Sequence, residues 1–322
     1  MGPNIDGGES LAINKKAVFF TLTAILLVSL FIIFPSLYQF KEITQRTATA
    51  EQRIYAVNNY IKNLERDIER GLYISSYRAI YALIESISSS GEFLNDTYSS
   101  FNSALMNGTI NNKSYIVMQD STLSAWVTKV ELEGTKLHVT TYININNVNL
   151  YQKNPWYVTV GVNISINVSD PSKTAVWNRR SYIETDIGII GFEDPLYVKY
   201  GLGRLTNLIN QSPYDENFTV ATNTTNLLNH VENSYYVTSD LSPSYLMRFE
   251  GNLSNSSNGI ESMINLPKFT AQGITVQTRS VVDSVYWSTA NPTIYRINNT
   301  PSWFRVDQEH LNRYNLSDMV LP

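Results

Sequence analysis

The sequence predicts an α+β protein in which an N-terminal transmembrane helix continues into a long helical stalk. The stalk is followed by a β-rich extracellular domain of the sandwich or jelly-roll type with short helices. Three observations support this fold class: an uncharged apolar run, then heptad spacing, then alternation with a period of two residues. The predicted boundaries are 1–16 for a cytoplasmic segment, 17–38 for the transmembrane helix, 39–90 for the stalk and 91–322 for the outer domain.

The apolar run extends over residues 17–38 and contains no charge between Lys16 and Lys41. About 20 apolar residues are needed to cross a hydrocarbon core of ~30 Å, and the run is too long for a cleaved signal peptide. We therefore expect a single-pass cell-membrane protein with the lipid bilayer as its first partner. Pro35 is expected to kink the helix. The predicted anchor residues are Ala17, Phe19, Phe20, Leu26, Leu27, Leu30, Phe31, Ile32, Ile33, Phe34 and Pro35.

The stalk is predicted from a seam of residues spaced alternately four and three apart between Ile43 and Ile68, which is the pattern of a coiled coil; all of them are apolar except Thr47. Gly71 occupies the next position of the pattern, and Gly91 marks the end of the helix. Two interpretations stay open: the seam joins copies of the chain in a dimer or filament, or it packs on the chain's own globular domain. The residues predicted for the oligomer seam are Ile54, Val57, Ile61, Leu64 and Ile68.

Period-two alternation then predicts antiparallel strands with one wet face. Asn163 and Asn167 lie four residues apart on the polar side of one such strand, and we expect them on the outside of the sheet. The predicted strands cover 123–132, with a hairpin turn at 133–135, and 137–145, 156–168, 181–192, 245–249, 259–266, 273–279 and 284–288. Short helices are predicted over 202–209 and 226–231.

Sites for N-linked glycans are more frequent than chance. Twelve Asn-x-Ser/Thr sequons occur where composition predicts roughly six, and all of them follow the apolar run. Basic residues flank that run on both sides, so the sequons decide the orientation and predict an extracellular C-terminal part. The sequon residues are Asn95, Asn107, Asn112, Asn163, Asn167, Asn210, Asn217, Asn223, Asn252, Asn255, Asn298 and Asn315.

Composition excludes several classes of function. The 322 residues include no cysteine, which excludes disulfides, thiolate metal sites and a cysteine nucleophile. Charged residues make up 16% of the chain, below the usual ~25%, and the net charge of -4 comes without a basic patch. We therefore expect no nucleic acid among the partners. Asn, Ser, Thr and Tyr take the place of charge, which suits an exported surface.

Candidate catalytic groups are weak. The three histidines His138, His230 and His310 have no metal-ligand spacing, and no GxSxG motif accompanies them. Two acid pairs, Glu131/Glu133 and Glu184/Asp186, have a separation that glycoside hydrolysis permits, but solvated strand faces produce such pairs routinely. The acid pairs Glu193-Asp194 and Asp215-Glu216 lack a calcium-loop motif. We expect no enzyme, no metal and no cofactor.

Two resemblances add to these patterns. Lys15-Lys16-Ala17-Val18, followed by an apolar helix with Pro35 and a β domain, resembles type IV pilin-like proteins. That resemblance implies processing after Ala17, although Leu22 stands where the family often carries Glu. Three further segments resemble uncharacterised archaeal membrane-anchored surface proteins: GIESMINLPKF at 259–269, SVVDSVYWS at 280–288 and FRVDQEHLNRYNL at 304–316. They carry over no functional residue.

The sequence thus predicts a membrane-anchored, N-glycosylated structural or interaction protein of the cell surface. Its expected partners are the bilayer, copies of itself through the stalk, and components of the envelope or of another cell. The first alternative is a type IV pilin-like filament subunit. The second is a surface carbohydrate-binding protein or hydrolase, since the 21 tyrosines offer rings that stack on sugars.

Overall fold

The computed structural model describes residues 15–171, 176–214 and 216–322, with the backbone alone at 15–18 and 36–50. The chain divides into two compact units, 1–61 and 62–322. The anchor residue Ala17 and the first heptad positions have side chains outside this description.

The N-terminal helix α1 extends from Lys15 to Ser90 and contains Pro35. In the first unit the described side chains from Phe19 to Pro35 are almost all exposed, and Thr23 and Ser29 donate hydrogen bonds back to their own helix. Ser90 ends the helix at the predicted place, where Gly91 has a φ of 68°.

The predicted transmembrane helix is not supported. Among the described residues, no helix combines the length and the apolar character that crossing a membrane requires. The predicted anchor at 17–38, and with it the single-pass membrane location, is therefore wrong on this finding.

In the second unit α1 buries one stripe. Leu64, Ile68, Leu72, Ile80 and Leu83 are all nearly inaccessible to solvent. Burial of the seam positions 64 and 68 agrees with the interpretation in which the seam packs on the chain itself. Ile54, in the first unit, is 56% exposed, so the prediction of an oligomer seam stays open there.

The main sheet contains β3 (Thr140–Asn154), β4 (Tyr157–Ser169) and β5 (Val176–Gly188). All pairings are antiparallel and β4 is the central strand. Its inner face contributes Val158, Val160 and Val162 to the same core as Leu72 and Leu83 of α1. The alternation predicted over 137–145 and 156–168 is confirmed in part. β3 begins at Thr140 instead of Leu137, and β4 alternates between buried and accessible residues from Val162 onward, whereas its first half is buried on both sides at Thr159 and Gly161.

A helix replaces the first predicted strand. Residues 123–132 and the expected hairpin turn at 133–135 form α3, Leu123–Lys136. Thr122 caps the helix by accepting a hydrogen bond from the Ala125 amide, and Trp126 donates its ring N–H to Asp67 of α1 at 3.1 Å. The apolar positions fit both periods, and the cap together with packing on α1 selects the helix.

The remaining elements are short. Predicted strands at 245–249 and 284–288 are helical, 202–209 is not a helix, and the helix predicted at 226–231 is confirmed. The elements before α3 are α2 (Thr97–Asn107), β1 (Thr109–Ile110) and β2 (Lys113–Ser114). Those after β5 are α4 (Pro195–Tyr200), β6 (Asn210–Gln211), α5 (Thr225–Asn233), β7 (Tyr235–Thr238), α6 (Tyr245–Arg248), β8 (Ile260–Glu261), α7 (Leu266–Ala271), α8 (Asp283–Trp287), β9 (Ile294–Tyr295), β10 (Val306–Asp307) and α9 (Gln308–Arg313).

The sandwich or jelly-roll prediction is also wrong. The described sheets are the three-stranded β3-β4-β5, the small β6-β7-β8, and the pairs β1-β2 and β9-β10. A sandwich needs two extended sheets face to face, whereas here α1 covers the inner face of the main sheet. The fold class is mixed helix and sheet with small sheets.

Candidate binding face and the buried ionic network

Most of the outer face of the main sheet is accessible to solvent, although Thr159 and Gly161 on it are buried, and we call it the open face. Tyr142, Tyr157 and Tyr182 on it are 63%, 46% and 48% exposed. A register shift after Ile145 keeps polar residues of β3 on this side along the whole strand. The open face consists of Tyr142, Asn144, Asn147, Asn149, Tyr151, Tyr157, Thr159, Gly161, Asn163, Ser165, Asn167, Asn178, Arg180, Tyr182, Glu184 and Asp186.

Glu184 is the centre of a polar cluster at one end of the open face. Lys153 Nζ lies 2.6 Å from Glu184 Oε2, and the hydroxyl groups of Tyr151 and Tyr182 donate to Oε1. Lys153, followed by these two hydroxyls, lowers the pKa of Glu184 to about 2. A carboxylate held ionised by three donors is a poor general acid or base near neutral pH.

The acid pairs considered for glycoside hydrolysis do not form a shared site of two carboxylates. Asp186 accepts a hydrogen bond from Thr159 at 2.6 Å, so Glu184 and Asp186 belong to different contacts. Glu131 and Glu133 lie on α3 instead of a strand. Glu131 accepts from the Ile143 amide. The arrangement on the open face suits binding through hydroxyls, amides and rings.

Two adjoining depressions cross the middle of the open face. They enclose about 540 and 440 Å³ and share Ser165 and Arg180. The first is lined by Asn146, Asn163, Ile164, Ser165, Arg180, Ser181 and Tyr182. The second is lined by Tyr142, Ser165, Ile166, Asn167, Asn178, Arg179 and Arg180.

All twelve sequon asparagines lie in the described part of the chain. Eleven of them are exposed and Asn167 is half-buried. Two sequons, Asn223 and Asn252, form turns in which the asparagine side chain accepts from the amide two residues later. Each acceptor nitrogen is thus at or near the surface, in strands, turns and helix ends alike.

The titratable groups with the most perturbed environment lie elsewhere, in the interior of the second unit. Arg248 is fully buried, and its Nη1 contacts Asp194 at 2.6 Å and Asp283 at 2.9 Å. Burial lowers the pKa of Arg248, but the two carboxylates outweigh it and the net direction is upward. Tyr236 adds a hydrogen bond to Asp194, and Ser262 adds one to Asp283.

A second group of charges adjoins this site through Glu261, the neighbour of Ser262. His310 lies between Asp307, 2.8 Å from its Nδ1, and Glu261, 3.3 Å from its Nε2. Burial opposes a charge on His310, yet the hydrogen bonds to Asp307 and Glu261 raise its pKa to about 9. The pKa of Asp307 is correspondingly lowered to about 2. Arg313 and Tyr314 also bind Glu261.

Most residues of this buried ionic network come from the three segments 259–269, 280–288 and 304–316. They supply Glu261 and Ser262, Ser280 and Asp283, and Asp307, His310 and Arg313. Most polar atoms of the network are hydrogen-bonded, with the buried Arg248 Nε as an exception, and its side chains other than Arg313 are almost inaccessible. The network therefore fixes short segments against each other. Asp194 of the predicted acid pair also belongs to it. Among the described residues, no group of three or more acids and histidines is arranged to hold a metal ion.

His230 forms a separate polar contact. Its Nδ1–H donates to the Asn226 carbonyl at 2.8 Å, and its Nε2 accepts from Ser212 Oγ at 2.7 Å. Burial lowers its pKa, so the ring is neutral. Ser212 is 6% exposed and also accepts from the Tyr214 amide, which leaves the hydroxyl enclosed by its own loop. Sequence spacing gave no signal for this pair, because 18 residues separate its members. His138, the third histidine, is exposed, with a φ of 56°.

The fold and site define a chain in which a long helix packs on a three-stranded antiparallel sheet whose other face is polar and open. Comparison of the chain with protein-family profiles, curated proteins and solved structures finds no match. The pilin-like and archaeal surface-protein resemblances therefore stay expectations.

Proposed function

We propose that this chain is an N-glycosylated structural or interaction protein that bears glycans on several parts of its surface, the open face among them. The observation that carries the proposal is the accessibility of the sequons: eleven of twelve acceptor asparagines are exposed and none is buried. A surface rich in Asn and Thr produces some sequons by chance. An asparagine that carries a glycan must be accessible, because a glycan is bulky and solvated.

The distribution of charge favours binding over catalysis. The strongly perturbed groups Arg248 and His310 are nearly inaccessible, and Glu184 on the open face is held ionised by its three donors. The accessible open face instead offers amides, hydroxyls, tyrosine rings and Arg180, which are groups that bind polar partners.

The mass of the intact protein tests this proposal. We expect chain purified from its native host to exceed the 36.5 kDa of the polypeptide by several glycan masses. The matched control is the same chain made in a host without N-glycosylation, which should have the polypeptide mass. Equal masses for the two preparations would refute the proposal.

A further inference from the structure

Two sequons of β4 each face a tyrosine directly across the sheet. Asn163 is opposite Tyr182 of β5, and Asn167 is opposite Tyr142 of β3. Side chains directly opposite in an antiparallel pair have their Cβ atoms ~5 Å apart, close enough for a group attached to one to contact the other. Both pairs lie on the open face.

Gly161 gives Tyr182 room to extend across β4. A Cβ at Gly161 would lie 2.1 Å from the Tyr182 hydroxyl oxygen, so the ring reaches over a position that only glycine leaves vacant. The same hydroxyl donates to Glu184 at 2.9 Å, which holds the ring in place. Tyr182 is still 48% exposed. A positioned ring with solvent access beside Asn163 is a surface on which a sugar can stack.

The two depressions of the open face match these two pairs. The first contains Asn163 together with Tyr182, and the second contains Asn167 together with Tyr142. Arg180 lies between them, and amide groups of Asn146 and Asn178 line the sides. Such groups donate hydrogen bonds to sugar hydroxyls.

We propose that the depressions hold the chain's own N-linked glycans, with the first sugar on Asn163 packed on Tyr182 and that on Asn167 packed on Tyr142. This inference rests on the proposed function, since it requires glycosylation. The occupant is identified by attachment: a sugar bonded to Asn163 Nδ2 starts inside the first depression, at high effective concentration over the ring.

A double-mutant cycle in the glycosylating host tests the contact. The melting temperature is measured for the wild type, Asn163→Gln, Tyr182→Ala and the double variant. We expect Asn163→Gln to lower it by about 2 °C in the Tyr182 background and by less than half of that in the Tyr182→Ala background.

The same four variants made without N-glycosylation provide the control, and there the coupling should vanish. Equal effects of Asn163→Gln in both backgrounds would overturn the inference, as would coupling that persists without glycan. Glycopeptide mass spectrometry shows whether a negative result overturns only this inference or the proposed function as well. An unmodified Asn163 beside other modified sequons overturns only this inference, whereas a chain with every sequon unmodified overturns the proposed function as well.

Discussion

His310 carries a positive charge where solvent hardly reaches, because Asp307 and Glu261 accept hydrogen bonds from both of its ring nitrogens. With a folded pKa of about 9 and an unfolded pKa near 6.5, its contribution to stability is complete below pH ~6.5. The contribution is lost as the pH rises to 9. The contribution of His230 to stability changes with pH in the opposite direction. Burial lowers the pKa of His230, so the cost of charging its ring in the folded chain appears as the pH falls below ~6.5.

Urea unfolding at pH 6 and pH 9 tests this assignment. We expect the wild type to lose up to ~3 kcal/mol more unfolding free energy than His310→Gln over that interval. His230→Gln serves as the matched control and should retain the wild-type loss between pH 6.5 and 9. A His310→Gln variant that loses as much stability as the wild type between pH 6 and 9 would show that His310 is not charged in the folded chain.

Single residues of this network could be singled out from the sequence only by resemblance. A resemblance to archaeal surface proteins pointed to the segments at 259–269, 280–288 and 304–316. Nothing in their spacing showed that Glu261, Asp283 and His310 would meet. Contacts between residues 49 positions apart depend on the path of the whole chain. Glu184 was identified as one of two acids on a strand face, while its partners Lys153 and Tyr151 lie on a strand that is not adjacent in the sheet.

At the scale of elements, length separates several confirmed predictions from wrong ones, with α3 as the exception: it has 14 residues and was still predicted as a strand. β3 and β4 have 15 and 13 residues, so their alternation could be recognised in the sequence. The helix α1 could be recognised from its apolar stripe. The helices α6 and α8 have four and five residues, too few to show a period. Arg248 and Asp283, which belong to those helices, are held by the buried ionic network, and this tertiary contact overrides local preference.

Gly71 sets the approach of α3 to α1. A Cβ at this position would lie 2.7 Å from Trp126 Nε1 and 2.9 Å from its Cδ1. Replacing glycine by alanine within a helix ordinarily stabilises by ~0.5–1 kcal/mol. We expect Gly71→Ala instead to lower the unfolding free energy by about 1–2 kcal/mol, since the indole must move away from Asp67.

Urea unfolding followed by tryptophan fluorescence measures that change. The control is Gly71→Ala in a Trp126→Ala background, where the obstruction is absent and the usual helical gain should return. A Gly71→Ala chain that is more stable than the wild type with Trp126 in place would contradict the close approach.

At the scale of the whole molecule, composition and sequons predict an exported, glycosylated surface, which stays a prediction, and the arrangement of elements could not be inferred. The transmembrane prediction treated 17–38 as one apolar unit, and no helix of the described residues meets the requirement for a membrane span. The sandwich prediction assigned strands to 245–249 and 284–288, which are helical. What held was the wet side of β4, with Asn163 and Asn167 on the open face opposite two tyrosines.

Proton NMR of the glycosylated protein with labelled tyrosine observes the open face directly. We predict nuclear Overhauser contacts between the Tyr182 ring and protons of the first sugar on Asn163, together with upfield ring-current shifts of those sugar protons. A glycan on Asn163 whose first sugar shows the shifts of a freely solvated residue, and no contact with Tyr182, would contradict the assignment of the open face as a surface that binds its own glycans.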